Sequence, residues 1–235
     1  MSRADPERIP LGQESDFPVG QLTLTHGAEH TVAELLPARF ATYVRIFHPF
    51  LGADPGPMRT WQSLAEGAGM VFHAEIDYWG LLAAVDAMGA EDSSQQLAAR
   101  EGRLEEPAQS ALFSHIARHS PDADTLFLWD LSAIVRGKDR LLYRASVADF
   151  REVQEAANRD LGYEDRMAPG PDYVWSADRF WVTSTDEDLH STYVACGDGL
   201  ALAIGSDPTL ECLPVTLETR VDARGDRINP IRHAP

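Results

Sequence analysis

Cysteine is scarce in this chain: Cys196 and Cys212 are the only two. Neither sits in a C-x-x-C pair, so paired-thiol redox chemistry has no support, and the two read as free, buried thiols rather than a disulfide. No run of eighteen apolar residues occurs, which leaves no segment expected to span a membrane as a helix. The opening residues, MSRADPERIP, contain no apolar core of a secretory signal, and a cytoplasmic location is expected. Positive charge is also short: 20 Lys+Arg stand against 37 Asp+Glu, for a formal charge of -17 and a pI near 4.7. A protein that neutralises phosphates needs a basic face, so neither nucleic acid nor an anionic membrane surface is an expected partner. No Gly-rich phosphate loop follows a strand, no G-x-S-x-G elbow raises a serine nucleophile, and no repeat or low-complexity tract is visible.

What is present is an ordinary globular composition, 44% hydrophobic and 24% charged over 235 residues. That is enough chain to bury one core. The surplus negative charge has two readings: solubility, or an acidic face that docks a basic protein partner.

Residues 1–20 carry scattered Pro and Gly among charges and read as an extended arm. Gln21–Thr25 alternates like a short strand, and Thr31 with Glu34 fits a capping box opening a short helix that Pro37 ends. Tyr43–His48 is β-branched and aromatic, hence a strand. A brief helix is expected around Trp61–Glu66. Over Glu75–Met88 the spacing predicts a longer one, with Ile76, Trp79, Leu82 and Val85 inward and Gly89 as its cap. Ala90–Glu105 reads as an exposed connection and Pro107–His119 as a helix. Strands at Thr125–Leu131 and Leu141–Ser146 pair across a turn at 136–139, followed by a helix over Val147–Asn158 and a loop over Gly162–Pro171. Strands at Arg179–Thr185, Ser191–Cys196 and Glu211–Leu217, with a short helix at Leu200–Ile204, complete a single domain spanning residues 21–217; residues 218–235 are a polar tail. Closely spaced strands favour antiparallel pairing, because a parallel return needs a long crossover. The fold class expected is α+β, a mainly antiparallel sheet with helices packed on one side.

Several constellations could carry chemistry. His26-Gly27-Ala28-Glu29-His30 matches H-x-x-E-H, but the capping box would start the helix after it, so a loop is the plainer reading. His115 and His119 share a helix face near its C-terminal end, where the dipole favours a protonated imidazole. Asp186, Asp188 and His190 would share one face of an extended segment, able to bind a cation or run acid–base chemistry; a solvated turn between two strands is the plainer reading. Asp178-Arg179 between Trp175 and Trp181 can lock a loop to the sheet by an ion pair and cation–π contact, or line a pocket for an anionic or planar ligand.

The segments W-S-A-D-R-F-W, D-L-H-S-T-Y-V and Y-V-R-I-F-H-P resemble a family of uncharacterised actinobacterial proteins. Its pattern is W-P-A-D-R-x-W … D-x-x-x-T-Y-[VI]-x-G with Y-x-R-[IL]-x-H-P. Here Ser176 stands in place of the Pro. The resemblance runs from about Leu36 to Val215 and implies a bacterial single-domain protein, with no activity attached. It adds weight to Arg45, His48, Trp175, Asp178, Arg179, Asp188, Thr192 and Tyr193. With His190, these are the candidate ligand-binding residues; no cofactor and no metal ligand set is implied. Two functions follow. One is a non-catalytic interaction protein, inhibitor- or immunity-like, with a basic partner. The other is a small enzyme, its metal dependence open, whose pocket gathers Arg45, His48, Asp178, Arg179, Asp188 and His190. An enzyme predicts these groups converging in a concave site with perturbed titration; an interaction module predicts them dispersed or spent on internal contacts.

Overall fold

A computed structural model describes residues 6–12, 16–23, 30–52, 58–88, 97–121, 123–130, 140–163 and 169–229. The strands are β1 (Glu7–Arg8), β2 (Thr42–Phe47), β3 (Phe50–Gly52), β4 (Leu97–Ala99), β5 (Thr125–Trp129), β6 (Leu141–Ala145), β7 (Tyr173–Ser176), β8 (Val182–Ser184), β9 (Ser191–Cys196) and β10 (Cys212–Val215). The helices are α1 (Trp61–Gly67), α2 (Tyr78–Ala87), α3 (Ala108–His119), α4 (Phe150–Leu161) and α5 (Asp198–Gly205). Eight strands form one antiparallel sheet in the order β1-β6-β5-β7-β8-β9-β2-β10, and β3 pairs with β4 apart from it. The expected α+β class with a mainly antiparallel sheet is therefore the fold observed.

Side chains alternate across the pleat, so each strand feeds two cores. Val44, Ile46, Phe127, Trp129, Val174, Trp181, Val194 and Cys196 pack beneath α3, α4 and α5. Tyr43, Leu126, Trp175, Val182, Tyr193 and Ala195 face the other way, where Phe17 and the Val32–Leu36 segment cover them. A third cluster of Phe47, Phe50 and Trp61 with α1, α2 and β4 closes one end. Trp175 and Trp181, bracketing one corner of the chain, thus belong to opposite faces.

Several local expectations shift. Thr31 makes no side-chain cap, and the short helix is a single 3-10 turn over Val32–Glu34. Val19–Gln21 is likewise a 3-10 turn where a strand was expected to begin; residues 24–29, with His26 and Glu29, lie outside the described residues. Helix α2 starts at Tyr78, not Glu75, because the Asp77 carboxylate accepts the Gly80 N–H and caps it there. Trp79, assigned to the inward stripe, is 62% exposed. Inside the stretch read as a connection, Leu97 and Ala99 are buried on β4. Strand β7 was not anticipated at all. Cys196 and Cys212 are both free thiols.

Candidate functional site

On the sheet face away from α3, α4 and α5, a cleft of about 700 Å³ opens between the β2–β9 pair, the start of α2, the loop before β9 and a C-terminal strap. The strap is held by local chemistry. Val32 N–H donates to the Thr219 carbonyl and Ala33 N–H to the Leu217 carbonyl, while Val221 N–H donates to the His30 carbonyl. Further on, Asp226 accepts from His73 Nε2 at 2.9 Å and from the Asp77 N–H at 3.3 Å. These bonds pin residues 217–229 as one wall.

Arg45 forms the floor. It points from the centre of β2 with Tyr193 directly across on β9, and it is only 8% exposed. Its Nε donates to Ser191 Oγ at 2.9 Å, and its Nη1 to the carbonyls of Ala74 at 2.7 Å and Ile76 at 3.3 Å. Phe47 lies under the guanidinium with its ring centroid 4.3 Å away. Among the described residues no carboxylate comes within ion-pair distance of Arg45, and Nη2 donates to nothing. Nor is Nη2 sealed off, since it is not among the buried atoms left without a partner. Burial pushes the guanidinium below its ordinary pKa, while Tyr193, Asp77 and Glu75 nearby hold it up. An arginine stays charged throughout. The floor of the cleft is thus a cation with neutral partners and one open nitrogen.

An aromatic wall stands beside it. The His190 imidazole stacks on Tyr78 at 3.5 Å and 13°, and Trp79 meets His190 edge-on at 6.1 Å. Burial, with Arg45 adding to it, lowers the His190 pKa to about 4, so the ring is neutral near pH 7. Its Nε2 lies 3.4 Å from Glu101 Oε1.

Among the described residues six carboxylates line the cleft against two guanidinium groups, those of Arg45 and Arg220. Four are engaged: Asp222 with Arg220, Glu34 with His30 Nδ1 at 2.6 Å, Glu75 with the Arg220 N–H, and Asp77 as the α2 cap. Asp186 and Asp188 differ. Asp186 Oδ1 accepts the Asp188 N–H at 3.0 Å, and no cation lies within ion-pair distance of either carboxylate among the described residues. Burial pushes the Asp186 carboxyl up, and Asp188 adds to the rise.

The candidate residues separate into three groups. Arg45, Asp188 and His190 converge on the cleft, with Tyr193 buried beside Arg45 in the sheet. His48 leaves β2 on the opposite face and is fully buried: Nδ1 bonds the Arg100 carbonyl at 2.6 Å, and Nε2 bonds Thr192 Oγ1 at 3.0 Å. Trp175, Asp178 and Arg179 belong to the β7–β8 corner. There Asp178 Oδ1 accepts the Phe180 N–H, Arg39 donates to the Arg179 carbonyl, and the Arg179 guanidinium lies 5.0 Å from the Phe17 ring centroid. Among the described residues Asp178 and Arg179 form no ion pair with each other, and the cation–π contact of Arg179 is with Phe17, in the segment covering this sheet face, not with either Trp ring. His115 pairs with Asp207 at 2.7 Å, a carboxylate partner the sequence did not disclose. Sequence reasoning missed Glu75, Asp77, Trp79, Arg220 and Asp222 as cleft residues. Only Asp77 ahead of an aromatic pair carried a local signal, that of a helix cap. No family model, curated protein or solved structure matches this chain.

Proposed function

We propose that the protein binds a small organic molecule in this cleft and that Arg45 receives its anionic or strongly accepting group. The observation that carries this reading is the charge state of the floor: a guanidinium 8% exposed, bonded to two carbonyls and a hydroxyl, with Nη2 open to the cleft. Asp77, Glu75 and Asp226 act on this guanidinium only from beyond ion-pair distance, and a carboxylate or phosphate from a ligand would supply the direct charge-assisted bond. The volume, about 700 Å³, is of the size that encloses a metabolite-sized molecule. Docking of a basic protein rests on net charge alone, and the actinobacterial resemblance, carried by the segments around Arg45 and Tyr193, adds no activity.

The test is a calorimetric and thermal-shift screen of small carboxylates and phosphates against the wild type and Arg45→Met. A ligand that raises the wild-type melting temperature and is lost in the folded variant supports the reading. A cleft ligand bound equally by both overturns it.

His190 favours a second reading, in which the cleft also performs acid–base chemistry. A neutral imidazole at the cleft wall, 3.4 Å from a carboxylate, has the form of a proton acceptor. His190→Gln would then keep binding and abolish turnover. Turnover surviving in that variant removes this second reading.

A further inference from the structure

Asp186 and Asp188, which have no cation within ion-pair distance among the described residues, share the cleft with Arg45, which likewise meets no carboxylate there. They are not its partners, since neither lies within ion-pair distance of Arg45 among the described residues. Trp79, 62% exposed beside Asp77 and His190, adds an aromatic face that helix burial does not use. His190 follows Asp188 by two positions and meets Trp79 at 6.1 Å, which sets ring and loop on one side of the cleft. An indole face next to carboxylates is what attracts an ammonium or guanidinium group. A metal ion is a poorer fit for the same carboxylates: among the described residues no three His, Cys, Asp or Glu side chains gather at ligating separation.

We infer that the ligand is a zwitterion, with a small anionic head on Arg45 and an ammonium or guanidinium group held by Asp186, Asp188 and the Trp79 face. This deepens the proposed function and rests on it. The arrangement gives selectivity by sign at each end. A simple acid meets the acidic loop unsatisfied, and a simple amine leaves Arg45 as it is in the empty cleft, so each half-ligand forfeits one charge-assisted contact.

The experiment is isothermal titration and thermal shift on the full chain with matched probes: ε-aminohexanoate and L-arginine, hexanoate without the cation, and hexylamine without the anion. The variants are Arg45→Met, Asp186→Asn/Asp188→Asn and Trp79→Leu. Asparagine at position 186 keeps the Oδ1 acceptor of the Asp188 N–H, so the loop turn is retained. Zwitterions are expected to bind at least about tenfold more tightly than either half-probe, with a similar loss in the Arg45 and the paired Asp variants. Trp79→Leu is expected to weaken zwitterion binding about threefold or more while leaving hexanoate unchanged. If hexanoate binds as well as ε-aminohexanoate, the zwitterion is overturned and anion recognition at Arg45 stands. If zwitterions bind with no loss in Arg45→Met, anion recognition is overturned as well. A shift with magnesium, calcium or zinc alone that disappears in the paired Asp variant overturns the organic cation. No shift with any probe overturns the zwitterion and leaves the wider acid and phosphate screen to judge Arg45.

Discussion

Arg45 and His48 lie three positions apart on one strand and its exit, yet their environments demand opposite charge states. Arg45 keeps its charge under burial because planar donors reach the Ser191 hydroxyl and two carbonyls. Removing one member of a buried ion pair strands its partner's charge and costs about 3–5 kcal/mol. Among the described residues Arg45 has no such partner, so Arg45→Met is expected to cost less, about 1–3 kcal/mol for two carbonyls losing their donor, when urea unfolding is compared with the wild type. A loss well above that range would mean the guanidinium is chiefly a structural strut. His48 instead is held neutral. Its Nδ1–H donates to the Arg100 carbonyl, so Nε2 accepts from Thr192, whose hydroxyl also bonds Thr185 at 2.9 Å. Desolvation lowers its pKa from 6.5 to about 3, with His190 and Arg45 adding to the fall. A depressed folded value means stability present above the unfolded pKa and lost as pH falls. Protonating the unfolded chain between 6.5 and about pH 4 therefore removes on the order of 3 kcal/mol through this group. His48→Gln, whose amide can bridge the same two partners, should be less stable than wild type at pH 7 and approach or overtake it by about pH 4. Parallel urea curves for the two proteins across that range would refute the neutral assignment.

Among the elements, those with strong local patterns could be read directly. Tyr43–Phe47 and Ser191–Cys196 are β-rich runs and pair as β2 and β9, and α3 and α4 follow their amphipathic stripes closely. Strand β7 escaped because Tyr173–Ser176 follows Pro171 and has one short run of side chains with no alternation to mark it. Its pairing with β5 and β8 is a tertiary fact. Trp79 fitted a three-residue stripe, but periodicity cannot tell a core-facing ring from one that lines a cleft. The strand expected over Tyr43–His48 already sets Arg45 and His48 on opposite faces by its two-residue period, so a single pocket holding both was at odds with that strand. The cleft itself is assembled from segments as far apart as His30, Arg45, Trp79, His190 and Asp222, so no window of sequence contains it. One glycine shows how such segments are tied. Gly102 has φ +63°, donates to the Leu189 carbonyl and accepts from the Gly170 N–H, and a Cβ there would meet the Glu187 Cα at 3.0 Å. Gly102→Ala is expected to cost about 1–3 kcal/mol from the left-handed backbone and the close contact together. Because the strain falls on the loop carrying Asp186, Asp188 and His190, it should also weaken cleft ligands. Full stability of the alanine variant in urea would show that the loop yields freely.

The whole molecule carries 37 acidic residues against 20 basic ones, and the surplus is felt most where carboxylates meet inside the fold. Asp172 is the clearest case. Its Oδ2 accepts the Asp130 N–H at 2.6 Å, which favours the ionised form, but desolvation outweighs that bond, and Asp186, Asp130 and Glu187 add repulsion. Its pKa is pushed up to about 7. A raised folded value reverses the sign that governs His48. Between the unfolded value of 3.8 and about 7 the native state holds a proton that the unfolded chain has released, so stability through this group falls as pH rises across that window. Asp77, Asp186, Glu187 and Glu211 are raised as well, all chiefly by desolvation, and act in the same direction. Asp172→Asn keeps an oxygen for the Asp130 N–H and removes the charge. It should therefore raise stability at pH 8 by about 2–4 kcal/mol, less whatever solvent screens, and change little at pH 4. Salt separates the two causes. Screening weakens the repulsion from Asp186, Asp130 and Glu187 but leaves desolvation in place. Scanning calorimetry at pH 8 from low salt to roughly 0.5 M should thus narrow the gap between wild type and Asp172→Asn without closing it. A gap that vanishes in salt would make the surplus charge the whole cause, and one unmoved by salt would make burial alone responsible.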